Sequence, residues 1–197
     1  MDDVRLLVAA LDAELVAFPA EIEGFGRLVT GPGKLKGAVG LTRALTAQTY
    51  DEIVVVGTGG AIDPRLGAAV YEVTAAVQHD VTDIDGIVGQ HVSMPARVET
   101  RAVDAAPRRV LDEVTIATGD HFVDDAEAVA TIRPLGASMV DMETYAYIWV
   151  AQEFGVPIRV LKAVSDRAQD DAITDWRTAV TACSAQLWEV FRADYGV

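Results

Sequence analysis

The sequence predicts an α/β protein folded as one domain, residues 1–197. Three observations predict it. Short apolar runs rich in β-branched residues alternate with longer stretches of helical period, the pattern of strands covered by helices. The 197 residues match one domain and suffice to bury roughly 70% of the surface an unfolded chain exposes. The composition, 51% hydrophobic against 23% charged, supplies a core and excludes a disordered chain; 16 glycines and 7 prolines exclude a collagen-like one.

The elements follow in order. Residues 4–9 (VRLLVA) read as a first, fully buried strand. Asp12 is placed to cap a short helix ending near Gly24, with Glu14 in its first turn. A brief strand at 27–30 closes at the turn Gly31-Pro32-Gly33, and a helix follows over 34–50. Residues 53–57 (IVVVG) form the clearest buried strand and run into the glycine pair Gly59-Gly60. Further strands are expected at 68–76, 114–117, 138–141 and 158–163, and helices at 124–132, 142–154 and 173–195. The last helix carries an apolar stripe at Ala179, Cys183, Leu187, Val190 and Phe191 that turns it toward the sheet, which makes Cys183 a core residue rather than a nucleophile. The least regular stretch, 79–112, contains Gly86, Gly89, Pro95 and Pro107 and reads as a long excursion with one strand; excursions of that length are often functional.

Composition also bounds the partners. A net charge of −14 argues against nucleic acid and anionic membranes, both of which call for a basic face. One cysteine leaves neither a disulfide framework nor a cysteine-cluster metal site, and His79, His91 and His121 lack the spacing of a structural zinc. No basic segment precedes an apolar one, and no run reaches about 18 apolar residues. The expectation is a cytoplasmic protein without signal peptide or membrane span.

In an open α/β sheet, ligands sit beyond the carboxyl ends of the strands. Four polar or glycine-rich clusters stand at such ends. Ala10-Leu11-Asp12-Ala13-Glu14 follows the first strand and serves equally as a helix cap with a dipole carboxylate. Gly57-Thr58-Gly59-Gly60-Ala61 lets backbone approach a ligand, or forms a plain tight turn. It is not a dinucleotide fingerprint, because the G-x-G-x-x-G spacing fails and Asp63-Pro64 stands where a helix should start. The run from Val140 to Tyr145 places Asp141, Glu143 and Thr144 around Met142 at a strand-to-helix junction, a solvated helix start or a seat for a ribose or base. Ala163-Val164-Ser165-Asp166-Arg167 follows the strand IRVLKA, where Ser165 or Asp166 caps a turn or meets a ligand. Capping explains each cluster singly and weakens when every strand end carries one.

The stretches ALDAEL at 10–15, GPGKLKGAVG at 31–40, VVVGTGGAIDP at 54–64, HD at 79–80, ATGDHFV at 117–123, VDMETYA at 140–146 and VPIRVLKAVSDRA at 156–168 occur in this order across nearly the whole chain. Together they resemble the nucleoside phosphorylase/nucleosidase superfamily, most closely the 5′-methylthioadenosine/S-adenosylhomocysteine nucleosidases. The DMET and VSD segments at this separation are specific; the glycine motif is not. The resemblance implies a three-layer α/β/α sandwich with a mixed central sheet, a homodimer, and a purine nucleoside bound without metal or organic cofactor. Carried over motif by motif, it makes Asp166 the general acid at purine N7 and Glu14 the general base for the attacking water. Glu143 would take the ribose hydroxyls with Met142 packed beneath the sugar. Phe122 would stack on the purine, and the Val123 backbone would meet its edge. Thr58 stands where the family usually has a serine near the water, Gly60 lines the same segment, and Ser165 would support Asp166.

Departures from the family leave the 5′ substituent open. Lys162 replaces an arginine common before the A-[IV]-S-D motif, with consequences for how Glu14 or Ser165 is held. Arg159 reads as a surface residue. The segment 99–114 is short for the helix the family usually has there, and His91, Met94 and Pro95 are expected to shape the pocket for the 5′ group, partly across a dimer interface. Phosphorolysis is the main alternative, but it needs cationic donors at the site, and the nearby basic residues are only Lys34, Lys36 and Arg65. A futalosine-type nucleosidase and a nucleoside-binding protein without turnover are the others. Three carboxylates, Glu14, Glu143 and Asp166, argue against a mere binder, which has no use for the acid. An acidic interaction module would explain the charge and leave the ordered motifs unexplained.

Overall fold

The computed structural model describes residues 4–81, 95–101, 108–169 and 172–197. Strand β1 (Arg5–Ala9) lies parallel between β2 (Phe25–Val29) and β3 (Glu52–Ala61), and β8 (Ile158–Asp166) lies parallel on the other side of β3. These strands are almost unbroken apolar runs because both faces of the sheet are covered. Side chains alternate across the pleat: Leu6, Val8, Ile53 and Val55 enter one core with α1 (Lys34–Ala47) and α3 (Thr144–Phe154). Leu7, Ala9, Val54 and Val56 enter the other, under α4 (Ala172–Tyr195). Helices, sheet and helix make the expected three layers.

The sheet is mixed. β4 (Val70–Gln78) runs antiparallel to β8 but parallel to β6 (Glu113–Thr118), with the short β5 (Arg97–Glu99) on its outer edge. β7 (Met139–Asp141) is parallel to β6 and antiparallel to the end of β3. The pairings β3-β8-β4-β6-β7 therefore close back on β3, whose register against β8 slips between Gly59 and Gly60. A bulge of this kind re-aims backbone and side chains locally. Helix α2 (Ala126–Ile132) starts at Asp125, whose carboxylate accepts the Ala128 N–H at 2.8 Å.

Three expectations are corrected. The helix expected from Asp12 to near Gly24 is a single 3₁₀ turn, Asp12–Leu15; Asp12 lies exposed within it and caps nothing, and Pro19 stands where a longer helix would need an N–H. Residues 57–61, read as a loop, are the second half of β3, wholly buried. Arg159, read as a surface residue, is 1% exposed between Glu72 and Asp194 at 3.0 and 2.8 Å. A buried guanidinium needs both carboxylates to replace its water. Cys183 is a core residue as expected, its thiol directed at the Val164 carbonyl at 3.5 Å.

Candidate active site

A cleft of about 170 Å³ opens beyond the carboxyl ends of β1, β3, β7 and β8. Glu14, Thr58, Gly60, Phe122, Val123, Met142, Glu143, Ser165 and Asp166 all line it, so the nine residues singled out in sequence meet in one place. Of the residues expected to shape the far end, His91 and Met94 lie outside the described residues. Pro95 sits apart from the cleft lining and offers its carbonyl to the Tyr145 hydroxyl.

Glu14 is carried by the short turn after β1 and is 4% exposed. Its Oε1 accepts the Thr58 N–H at 2.7 Å and the Thr58 hydroxyl at 2.9 Å. Its Oε2 accepts the N–H groups of Ala10 and Leu11 at 3.2 and 3.0 Å. Four donors thus converge on the two oxygens and fix the direction of the carboxyl group. Gly57 makes the approach possible: a Cβ there would stand 3.0 Å from Glu14 Oε1 and 3.0 Å from Lys162 Nζ. At Gly60 a Cβ would stand 2.8 Å from Asp166 Oδ1. The glycines of β3 are thus the floor on which two carboxylates rest.

Asp166 ends β8 and is 8% exposed. Ser165 Oγ donates to its Oδ2 at 2.8 Å, and the Ala168 N–H donates to Oδ1 at 2.8 Å, so the residue caps a turn and faces the cleft at once. Burial pushes its pKa up, the charge of Asp175 adds to this, and the Ala168 and Ser165 donors oppose it.

Glu143 precedes α3 and accepts the Gly33 N–H at 2.7 Å. Burial, together with the negative charge of Asp141 and Glu14, pushes its pKa up to about 7 against the pull of Lys162 and Gly33. Lys162, 2% exposed, bonds Asp141 Oδ2 at 2.9 Å rather than Glu14 or Ser165. Burial pulls its pKa down, but Asp141, Glu14 and Glu143 outweigh that and hold it at about 12. Asp141 is further fixed by the Thr118 hydroxyl at 2.6 Å and the Thr144 hydroxyl and N–H. One ammonium therefore sits among three carboxylates beneath the cleft.

The segment carrying Phe122 and Val123 is pinned from the side. Asp120 accepts the Lys34 N–H at 2.7 Å and donates its own N–H to Asp80 at 2.8 Å. Lys34 Nζ is taken up by Gln78 and Asp80, and Arg65 by Asp63. Among the described residues, no lysine or arginine lines the cleft.

Sequence reasoning missed Trp176 and the place of Lys162. Trp176 lies on α4 and lines the cleft, with its indole N–H on Thr58 Oγ1 at 2.9 Å. Its helical position signalled only amphipathic packing. Lys162 was visible as an unusual lysine inside an apolar strand, but not its partner, which comes from a strand ending 21 residues earlier, at Asp141.

Residues 28–191 match the model of the phosphorylase superfamily. The chain is 32% identical over 158 residues to a 5′-methylthioadenosine/S-adenosylhomocysteine nucleosidase of Marinomonas sp., covering 72% of this chain and 67% of that protein. Its fold is that of the nucleosidase of Neisseria meningitidis solved in complex with methylthio-immucillin-A (TM-score 0.80, 21% identity, 97% of this chain and 99% of that one). The futalosine hydrolase of Helicobacter pylori shares it equally (TM-score 0.85, 19% identity, 100% and 98%). The chain belongs to the phosphorylase superfamily and, by the relatives it matches, to the family of 5′-methylthioadenosine/S-adenosylhomocysteine nucleosidases.

Proposed function

We propose that the protein is an N-ribosyl hydrolase that releases adenine from a 5′-modified adenosine such as 5′-methylthioadenosine or S-adenosylhomocysteine. The observation that carries the reading is the pair of unlike carboxyl groups on one cleft. Glu14 is ringed by four donors, whereas Asp166 has its pKa raised by burial. A bond from ribose to purine breaks when the leaving base is protonated, so one carboxyl must hold a proton while the other accepts one. Asp166 gives its proton to N7 as the C1′–N9 bond breaks and its electron pair goes to the base. Water then bonds to C1′ and passes a proton to Glu14, so one water is consumed for each adenine and 5-modified ribose released. Low-dielectric walls strengthen the pull of the carboxylates on the cationic sugar. Glu143 and Met142 hold the ribose, and Phe122 and Val123 the purine.

Among the described residues the cleft wall carries no lysine or arginine, which supports hydrolysis over phosphorolysis, because phosphate needs cationic or amide donors where it attacks. A homodimer, a cytoplasmic location and a part in methionine salvage belong to the same proposal, and light scattering of the purified protein tests the first.

The deciding experiment is adenine release from 5′-methylthioadenosine with and without phosphate, with chromatography of both products. Methylthioribose formed without phosphate is the expected result. Methylthioribose-1-phosphate formed only with phosphate would make the protein a phosphorylase. No release from this nucleoside, while futalosine or another member of a nucleoside panel is cleaved, would reassign the 5′ group.

A further inference from the structure

Helix α4 reaches the base of the site through one side chain. Trp176 Nε1 stands 2.9 Å from Thr58 Oγ1, and Thr58 Oγ1 stands 2.9 Å from Glu14 Oε1. An indole nitrogen only donates, so it occupies a lone pair of the Thr58 oxygen. The single hydroxyl proton is then left to Glu14, whose Oε1 also takes the Thr58 N–H at 2.7 Å. We infer that Trp176 is a positioning residue: by fixing the direction of the Thr58 proton, it holds Glu14 in the orientation that receives a proton from water. The inference rests on the nucleosidase reading and extends it to a residue of α4 that lines the cleft.

The physical consequence is specific. Without the indole N–H, the Thr58 hydroxyl is free to turn its proton away from Glu14, and the base loses one of its four fixed donors. A hydrogen bond to a charged group in a buried network is worth more than one between neutral partners. The Trp176 ring also lines the cleft, so the test must separate the N–H from the ring. Trp176→Phe does so, keeping an aromatic face and removing the donor. Thr58→Val removes the oxygen through which Trp176 acts, and Thr58→Ser keeps it.

The experiment measures kcat and KM for adenine release from 5′-methylthioadenosine in the wild type, each single variant, and Trp176→Phe combined with each Thr58 variant. Thermal midpoints confirm that each is folded. Trp176→Phe is expected to lower kcat about tenfold, the order of one hydrogen bond to a charge, with KM within about twofold. The same loss is expected in the Thr58→Ser background, and less than about twofold in Thr58→Val, where the link is already cut. Wild-type activity in Trp176→Phe, an equal tenfold loss in the Thr58→Val background, or a raised KM with unchanged kcat would overturn the inference. No adenine release by the wild-type protein from 5′-methylthioadenosine or any nucleoside of the panel would overturn the nucleosidase reading itself, and the inference with it.

Discussion

The two ends of the sheet handle buried charge in opposite ways. At the end where β1 and β3 begin, three arginines meet three carboxylates. Arg159 lies between Glu72 and Asp194, and Glu52 receives Arg108 at 2.6 Å and Arg5 at 3.6 Å. At the end where the strands finish, Lys162 pairs with Asp141 beside Glu14 and Glu143, while Asp166 rests on the Ser165 hydroxyl and the Ala168 N–H. Charges matched in this way replace lost hydration and serve the fold. Burial raises the pKa of Glu143 to about 7 and that of Asp166 above its ordinary value, and a carboxyl that keeps its proton is what proton transfer to a purine requires. The same residue types therefore act as structure or chemistry according to how many counter-ions the fold places beside them.

Substitutions at the two ends should separate turnover from stability. Asp166→Asn removes the acid but keeps an acceptor for the Ala168 N–H and a neighbour for Ser165. Turnover should fall by about 10²–10⁴, with the thermal midpoint moving by no more than about 2–4 °C, the equivalent of about 1 kcal/mol. Steady-state kinetics and calorimetry check it, and activity near the wild-type level would remove Asp166 from the mechanism. Glu14→Gln is a less clean companion. Either way the amide is turned, its NH₂ meets two donors, so stability falls along with turnover.

Arg159→Met is the counterpart at the other end. It leaves Asp194, with 1% of its side chain exposed, and Glu72 without their cation. The expected cost is about 3–5 kcal/mol in urea unfolding, with kcat of the folded fraction within about twofold of wild type. Equal losses of stability and turnover in either variant would break the distinction between the two ends.

The sequence was legible where a local rule was enough. Alternating and unbroken apolar runs located the strands, and acidic or glycine residues beyond them located the cleft, because ligands collect at strand ends whatever the ligand is. Partners from distant segments were not legible. Arg159 was read as a surface residue because nothing near it in sequence carries a counter-charge; Glu72 and Asp194 arrive only when β4 and α4 pack on β8. The glycines at 57–60 looked like a loop because glycine weakens a strand by propensity. Pairing with β8 and β7 keeps them in β3, and they are glycines because Glu14 at Gly57 and Asp166 at Gly60 leave no room for a side chain. Trp176 was hidden for a related reason, since helical period reports which face is apolar and not where a single N–H points.

The smallest expected effect concerns pH and turns on Glu143. Its pKa in the folded chain, about 7, lies above the ordinary 4.5, so the native state binds a proton that the unfolded chain has released throughout that window. A group raised on folding stabilises most below its unfolded value and gives up that contribution as pH climbs to its folded value. The difference corresponds to a loss on the order of 3 kcal/mol between pH 4.5 and about 7, at about 1.4 kcal/mol per unit. Glu143→Gln keeps the acceptor for the Gly33 N–H and cannot ionise. Urea unfolding at pH 5 and pH 8 should therefore show a drop in the wild type that exceeds the drop in the variant by about 2–3 kcal/mol. Equal drops would mean that Lys162 offsets the burial of Glu143, and the contrast between the two ends of the sheet would lose its support from pH.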